Sequence, residues 1–180
     1  MPMKRVLIIS TSRRENSNSA QLAKQFQRGA QEAGHEVQYI SLKGKHIQFC
    51  LGCLSCQKTG RCVIVDDMKP IVEAMKKADV LVFATPIYYY EMSGSMKVFL
   101  DRSNPLYVQN YAFRDVYLLV TAADENRYAL KRCQSGLEGW IECFSEATLR
   151  ETVFAGAVVE PGDVAHHPAL QDAYEMGKRV

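Results

Sequence analysis

No apolar run in the chain approaches the roughly 20 residues needed to cross a bilayer, so no transmembrane helix is expected. Charge imbalance is also missing. The 22 Lys and Arg nearly cancel the 20 Asp and Glu, for a formal net charge of +2. No basic cluster carries interleaved aromatics, so neither a nucleic-acid partner nor a strongly electrostatic docking surface is expected. The Gly-x-x-x-x-Gly-Lys loop of nucleoside triphosphatases and the Gly-x-Gly-x-x-Gly turn of dinucleotide folds are both absent. No internal repeat, low-complexity tract or linker divides the sequence, and 180 residues suit one well-filled core. A single domain over 1–180 is therefore expected, with a cysteine-rich insert at about 45–65. Basic residues before a short apolar run at the N-terminus resemble a signal peptide. That run is too short and lacks a small-residue cleavage site, so a cytoplasmic location is expected.

The organising stretch is Arg5–Ser19. Val6-Leu7-Ile8-Ile9 reads as a central parallel strand covered on both faces. Ser17, Asn18 and Ser19 can cap a helix whose inward positions are Leu22, Phe26, Ala30 and Ala33. Between strand and helix lie the hydroxyls of Ser10, Thr11, Ser12 and Ser17, with Arg13 and Arg14. A polar loop entering a helix N-terminus is where backbone N–H groups hold an anion. It is also how an ordinary solvated turn looks. Without the diphosphate-loop glycines, a single terminal phosphate suits this loop better than a pyrophosphate.

Further along, Glu36–Ile40 alternates as a strand, and Val80–Ala84 and Val116–Thr121 are apolar on both faces. Thr152–Val159 supplies a last strand. Helices are expected after Asp66 or Asp67, from Ser93, along Leu130–Phe144 and over Pro168–Lys178. Alternating strands and helices predict an α/β three-layer sandwich. Its five-stranded parallel sheet, of order 2-1-3-4-5, has helices on both faces. In that order the ligand sits outside the C-terminal strand ends. The loops Ser10–Ser19, Thr85–Glu91 and Thr121–Asn126 should meet there.

The second of these loops, Thr85-Pro86-Ile87-Tyr88-Tyr89-Tyr90, is unusual for a surface turn. Successive tyrosines offer flat amphipathic surface beside the anion loop, suiting a planar ring system that bears one phosphate. They serve a subunit interface equally well. The stretches STSRRENSNSAQLA, ADVLVFA and TPIYYYEMSGSMKVFLDR resemble the NADPH-dependent FMN reductase family of flavodoxin-like proteins. The insert CLGCLSCQKTGRCVIVDDM is similar to the compact cysteine motif of iron-sulfur flavoproteins in that family.

The resemblance covers the first two-thirds of the chain. It implies FMN at the strand ends, homodimers or homotetramers, and electrons from NAD(P)H or an iron-sulfur donor. Matched by position, Ser10, Ser12, Arg13, Ser17, Asn18 and Ser19 surround the FMN phosphate. Pro86, Ile87, Tyr88 and Tyr89 line the ribityl chain and ring, with Thr121 and Ala122 on the other edge. The family often has glycine where this chain has Ser17, and a glycine-rich loop where it has Ala122-Ala123-Asp124. No side chain is required as acid or base, because the redox chemistry belongs to the cofactor.

Cys50, Cys53, Cys56 and Cys62 form C-x2-C-x2-C-x5-C, a spacing closer to 4Fe–4S ligation than to a zinc ribbon. Zinc, and free thiols without any metal, stay open as alternatives. Gly52 and Gly60 permit tight turns there, and Lys58 and Arg61 can offset a cluster's charge. Cys133 reads as core. His35, His46, His166 and His167 read as loop or surface residues. A low-molecular-weight tyrosine phosphatase is excluded, because its nucleophilic cysteine would sit in the first loop, where this chain has none.

The favoured function is an FMN-dependent NAD(P)H oxidoreductase reducing flavins, quinones or small electrophiles. A cluster, where present, would relay single electrons from a ferredoxin-type protein. Its competitors are a non-enzymatic flavodoxin-type electron carrier and a thiol or metal redox sensor. Carriers tend to be acidic for docking, which the +2 balance disfavours.

Overall fold

A computed structural model describes residues 2–180. The strands are β1 (Arg5–Ser10), β2 (Glu36–Ser41), β3 (Val80–Tyr88), β4 (Glu91–Met92), β5 (Asp115–Thr121) and β6 (Thr148–Ala155). The helices are α1 (Asn18–Glu32), α2 (Ser55–Thr59), α3 (Met68–Lys77), α4 (Gly94–Arg102), α5 (Leu130–Ile141) and α6 (Ala169–Lys178). The main sheet runs β2-β1-β3-β5-β6 with every neighbouring pair parallel. That is the expected 2-1-3-4-5 order, and the fold is the flavodoxin-like sandwich. No helix among the described residues is long and apolar enough to cross a membrane.

The strands alternate their side chains between two cores. Leu7, Ile9, Leu81, Phe83, Leu118 and Val120 face α3, α4 and α5. Val6, Ile8, Val80, Val82, Leu119 and Val153 face α1 and α6. Because both faces are covered, β3 is buried from Val80 through Thr85. The helices α1 and α6 cross so closely that glycine is needed on each. A methyl on Gly29 would stand 2.1 Å from the Tyr174 carbonyl oxygen, and one on Gly177 would stand 2.2 Å from that of Phe26. Cys133 is fully buried, and burial pushes its thiol up to about 12.

Two expectations are corrected. A sixth strand, β4, pairs antiparallel with the end of β3, Tyr88 opposite Glu91 and Ile87 opposite Met92. The last strand begins at Thr148 and stops at Ala155, earlier than Thr152–Val159. Its polar first half suits a sheet edge. It ends at Gly156, where a Cβ would stand 2.8 Å from the Asp124 carbonyl oxygen of the neighbouring loop. His35 is buried, its Nδ1 accepting from Lys4 N at 3.2 Å and its Nε2 lying 2.9 Å from the Val180 carbonyl oxygen.

Candidate functional site

The loops after β1, β3 and β5 meet at the C-terminal edge of the sheet. Ser17 caps α1 through its Oγ, which accepts from Ala20 N at 3.5 Å and lies 3.1 Å from Ser19 Oγ. Thr11 is fully buried and anchors this loop to its neighbour. Its Oγ1 donates to the Ala84 carbonyl oxygen at 3.1 Å and lies 3.1 Å from Ser93 Oγ. Ser93, the N-cap of α4, donates its N–H to Thr85 Oγ1 at 3.3 Å. A hydroxyl chain thus joins the first loop, β3 and the start of α4. In the first turn of α1, Ala20 N donates to Ser17 Oγ and Gln21 N to the Ser17 carbonyl oxygen, which leaves the N–H groups of Asn18 and Ser19 as the ones suited to an anion.

One cavity of about 180 Å³ opens where the loops converge. Ser12, Ser17, Asn18, Pro86, Ile87, Tyr88, Thr121 and Ala122 line it, each of them expected there. The remaining four expected residues lie off its walls. Arg13 turns toward the start of α4, its Nε donating to Ser95 Oγ at 3.1 Å. Tyr89 is 98% exposed, and Ser19 is buried in the first turn of α1. Ser10 ends β1 with a buried Oγ that has no partner, an unmet donor or acceptor at the head of the loop. Hydroxyls and helix N–H groups at one end, and Pro86, Ile87 and Tyr88 at the other, fit a phosphate joined to a flat ring.

Arg14, Ala123, Val158, Val159 and Pro161 also line the cavity. The last three belong to a fourth loop, after β6, that carried no distinctive motif. Asn18 fastens it. Its Nδ2 donates to the Glu160 carbonyl oxygen at 2.9 Å, and its Oδ1 accepts from Gly162 N at 2.9 Å and Val164 N at 3.3 Å. The Asn18 amide therefore holds the wall and is not free to meet a ligand. Arg14 bonds the same loop, Nη1 donating to the Val159 carbonyl oxygen at 2.8 Å. Asp163 accepts from the N–H groups of Val159 and Glu160, and those bonds hold its carboxyl below the usual range.

The tyrosine stretch forms the hairpin turn between β3 and β4. Tyr89 and Tyr90 both have positive φ, +51° and +62°. A two-residue turn of that type is ordinarily Asn-Gly, because side chains crowd the backbone there. The Tyr90 hydroxyl donates to Asp124 Oδ2 at 3.1 Å, and this bond with the carboxylate's charge raises the phenol's pKa.

A second cavity, of about 20 Å³, lies at the other end of α4 and is lined by Cys50, Cys53, Cys56 and Cys62 together. Positive φ at Leu54, Gly52 and Gly60 curls the insert around it. Burial raises the Cys56 thiol, and the charges of Cys62, Cys50 and Cys53 raise it further. Asn104 Nδ2 donates to Cys56 Sγ at 3.5 Å. Cys53, exposed, is lowered by its hydrogen bonds with Ser55. Among the described residues no three His, Cys, Asp or Glu side chains already stand as a metal-binding group. Four thiols on one cavity nonetheless fit the soft ligand set that iron-sulfur clusters take. Arg102, which the sequence did not single out, lines the same cavity. It is 1% exposed and paired with Asp66.

The sequence profile of the NADPH-dependent FMN reductase family matches residues 4–159. An iron-sulfur flavoprotein of Methanosarcina thermophila is 31% identical over 170 residues, covering 93% of this chain and 85% of that protein. One from Methanocaldococcus jannaschii is 36% identical over 102 residues, 57% of this chain and 53% of that one. The chain spans about half the length of the first curated relatives it matches. The FMN-dependent NADH-azoreductase of Bacillus anthracis, solved with FMN, aligns over 98% of this chain and 99% of its own. Its TM-score is 0.71 at 16% identity, a likeness of fold.

Proposed function

Because the chain belongs to the NADPH-dependent FMN reductase family, we propose that it is an FMN-dependent NAD(P)H oxidoreductase. The observation that carries this is the single cavity shared by Ser12, Ser17, Pro86, Ile87, Tyr88, Thr121 and Ala122. FMN held by these residues would supply the redox chemistry, hydride acceptance from NAD(P)H and onward transfer of one or two electrons. The chain's part is to hold and orient. The α1 N-terminus with Ser12 and Ser17 grips the phosphate, and Arg14 adds charge from the wall. Pro86, Ile87 and Tyr88 support one side of the ring, and Thr121, Ala122 and Ala123 the other. Asn18 and Arg14 keep the fourth loop closed over the cavity.

The four cysteines at the far end of α4 hold a 4Fe–4S cluster in this reading. Zinc in the same thiols is the alternative. Helix α4 has nine residues, about 14 Å at 1.5 Å per residue, and runs from the hydroxyl chain at Ser93 to Arg102 on the cysteine cavity. The Methanosarcina relative's name supports the cluster. Small-molecule acceptors such as quinones or flavins, a ferredoxin-type electron donor, a cytoplasmic location and a homodimer or homotetramer complete the proposal. Exposed Phe49, Leu51, Val63 and Val65 around the cysteines are consistent with assembly.

Steady-state oxidation of NADH and NADPH by the FMN-loaded chain, with a quinone acceptor, tests the enzyme reading. Turnover supports it. FMN bound with no turnover on either nucleotide would favour the carrier or sensor instead.

A further inference from the structure

A further cavity, of about 440 Å³, lies between the C-terminal end of α4, the 3-10 turn Asn104–Val108 and the end of α5. Buried Leu100 and Phe144 line it, with half-buried Trp140 and exposed Tyr107. It shares no residue with the cavity proposed for FMN. Trp140 is held in one orientation by the protein itself. Its Nε1 donates to Ser103 Oγ at 2.9 Å, and its ring packs against Phe144, Phe83 and Phe113, with centroids 4.6, 5.7 and 6.0 Å away. An aromatic surface fixed in advance costs a ligand little ordering on binding.

The polar groups on the same surface are engaged within the protein. Ser103 Oγ donates to the Leu100 carbonyl oxygen at 2.7 Å, and Asn104 Nδ2 donates to Cys56 Sγ at 3.5 Å. Cys143 Sγ donates to the Gly139 carbonyl oxygen at 3.6 Å. Asp101 is the only charged residue of the lining, and it already accepts from Lys97 Nζ at 2.6 Å. No lining cation is present to receive a phosphate or a sulfonate. What is left to a ligand is apolar and aromatic surface, which holds a flat ring by stacking and by its removal from water.

We propose that this cavity is a second small-molecule site, separate from the FMN cavity, for a neutral planar aromatic of the quinone class. Neutrality follows from the lining, which offers an anionic ring no counter-charge for the water it would lose. The choice of a quinone among flat neutral rings rests on the oxidoreductase reading above; the cavity's preference for such a ring does not. Cys50 and Asn104 line both this cavity and the four-cysteine one. The ring therefore lies beside the thiols rather than beside the flavin.

Trp140 is the only tryptophan of the chain, so its emission reports on this cavity directly. The full-length chain is titrated with duroquinone, a neutral quinone with no open ring position for a thiol to attack, with and without saturating FMN. Quenching of Trp140 is expected to saturate, and at the same quinone concentrations in both cases. Tyr107→Ala, at an exposed position, is expected to raise the half-saturating concentration about fivefold, the effect of losing one aromatic pair. Anthraquinone-2-sulfonate, an anionic ring, is expected to quench the wild type only linearly and to gain saturable quenching in Asp101→Lys. Duroquinone quenching that never saturates, that FMN abolishes, or that Tyr107→Ala leaves unmoved overturns the proposal, as does a sulfonate that binds the wild type equally well. Saturable quenching in a chain that binds no FMN would instead contradict the flavin reading and uphold this one.

Discussion

The Tyr90 hydroxyl and Asp124 Oδ2, 3.1 Å apart, join the turn between β3 and β4 to the loop after β5. These are the two sides between which the ring of FMN is proposed to lie. Tyr90→Phe and Asp124→Ala should each weaken FMN binding several-fold by loosening that tie. The double variant should be no weaker than the worse single one, because both remove one bond. Fluorescence titration of all four proteins completes the cycle.

Tyr89 sits at φ +51°, where an L side chain is strained. Strain of this kind is stored where function needs a side chain. Tyr89→Asn should therefore stabilise the fold by about 1 kcal/mol, read in urea unfolding. If Tyr89 folds over bound FMN, the same change will weaken FMN binding while the protein becomes more stable.

Gly177→Ala should destabilise strongly. The added methyl would stand 2.2 Å from the Phe26 carbonyl oxygen, a backbone atom that cannot turn aside. Overpacking of a close helix crossing costs about 1–3 kcal/mol or more. Equilibrium unfolding reads the loss directly, and Gly139→Ala, with open space at its Cβ, is the control.

Acid should unfold the protein through its paired aspartates. A hydrogen bond from Arg5 holds Asp79 below its ordinary 3.8, and bonds from Arg150 and Lys4 do the same for Asp115 against the effect of burial. Asp66 is lowered likewise by Arg102. A carboxyl lowered in the folded state contributes stability above its unfolded pKa, and that stability is lost as pH falls through the folded pKa. Urea midpoints should hold from pH 7 to about 5 and drop steeply below about 4. Asp79→Asn should lower the midpoint at neutral pH and flatten the acid limb.

The sheet was legible because β1, β3 and β5 are apolar on both faces, which only a covered parallel strand tolerates. The loop between β1 and α1 was legible from its hydroxyls and from Ser17 as a cap. Four features were not. The Tyr89–Tyr90 turn hides because neither residue is the Gly or Asn that its backbone conformation favours. The wall from Val158 to Pro161 hides because Asn18, 142 residues earlier than Glu160, fixes it through the side chain. Gly29 and Gly177 read as helix-weakening residues until the α1–α6 crossing shows what their missing side chains permit. Arg102 carries no signal in its neighbourhood of sequence, and only the fold buries it against Asp66 and beside Cys62.

The most direct measurement is a titration of the flavin-free chain with FMN, followed by flavin fluorescence, alongside a Ser12→Ala, Ser17→Ala double variant. The account predicts saturable quenching at one FMN per chain for the wild type. It also predicts a binding constant weakened at least tenfold in the double variant, from two lost hydrogen bonds to a charged phosphate, each worth about 1.5–3 kcal/mol. Flavin fluorescence that the wild-type chain leaves unchanged at every concentration would contradict it.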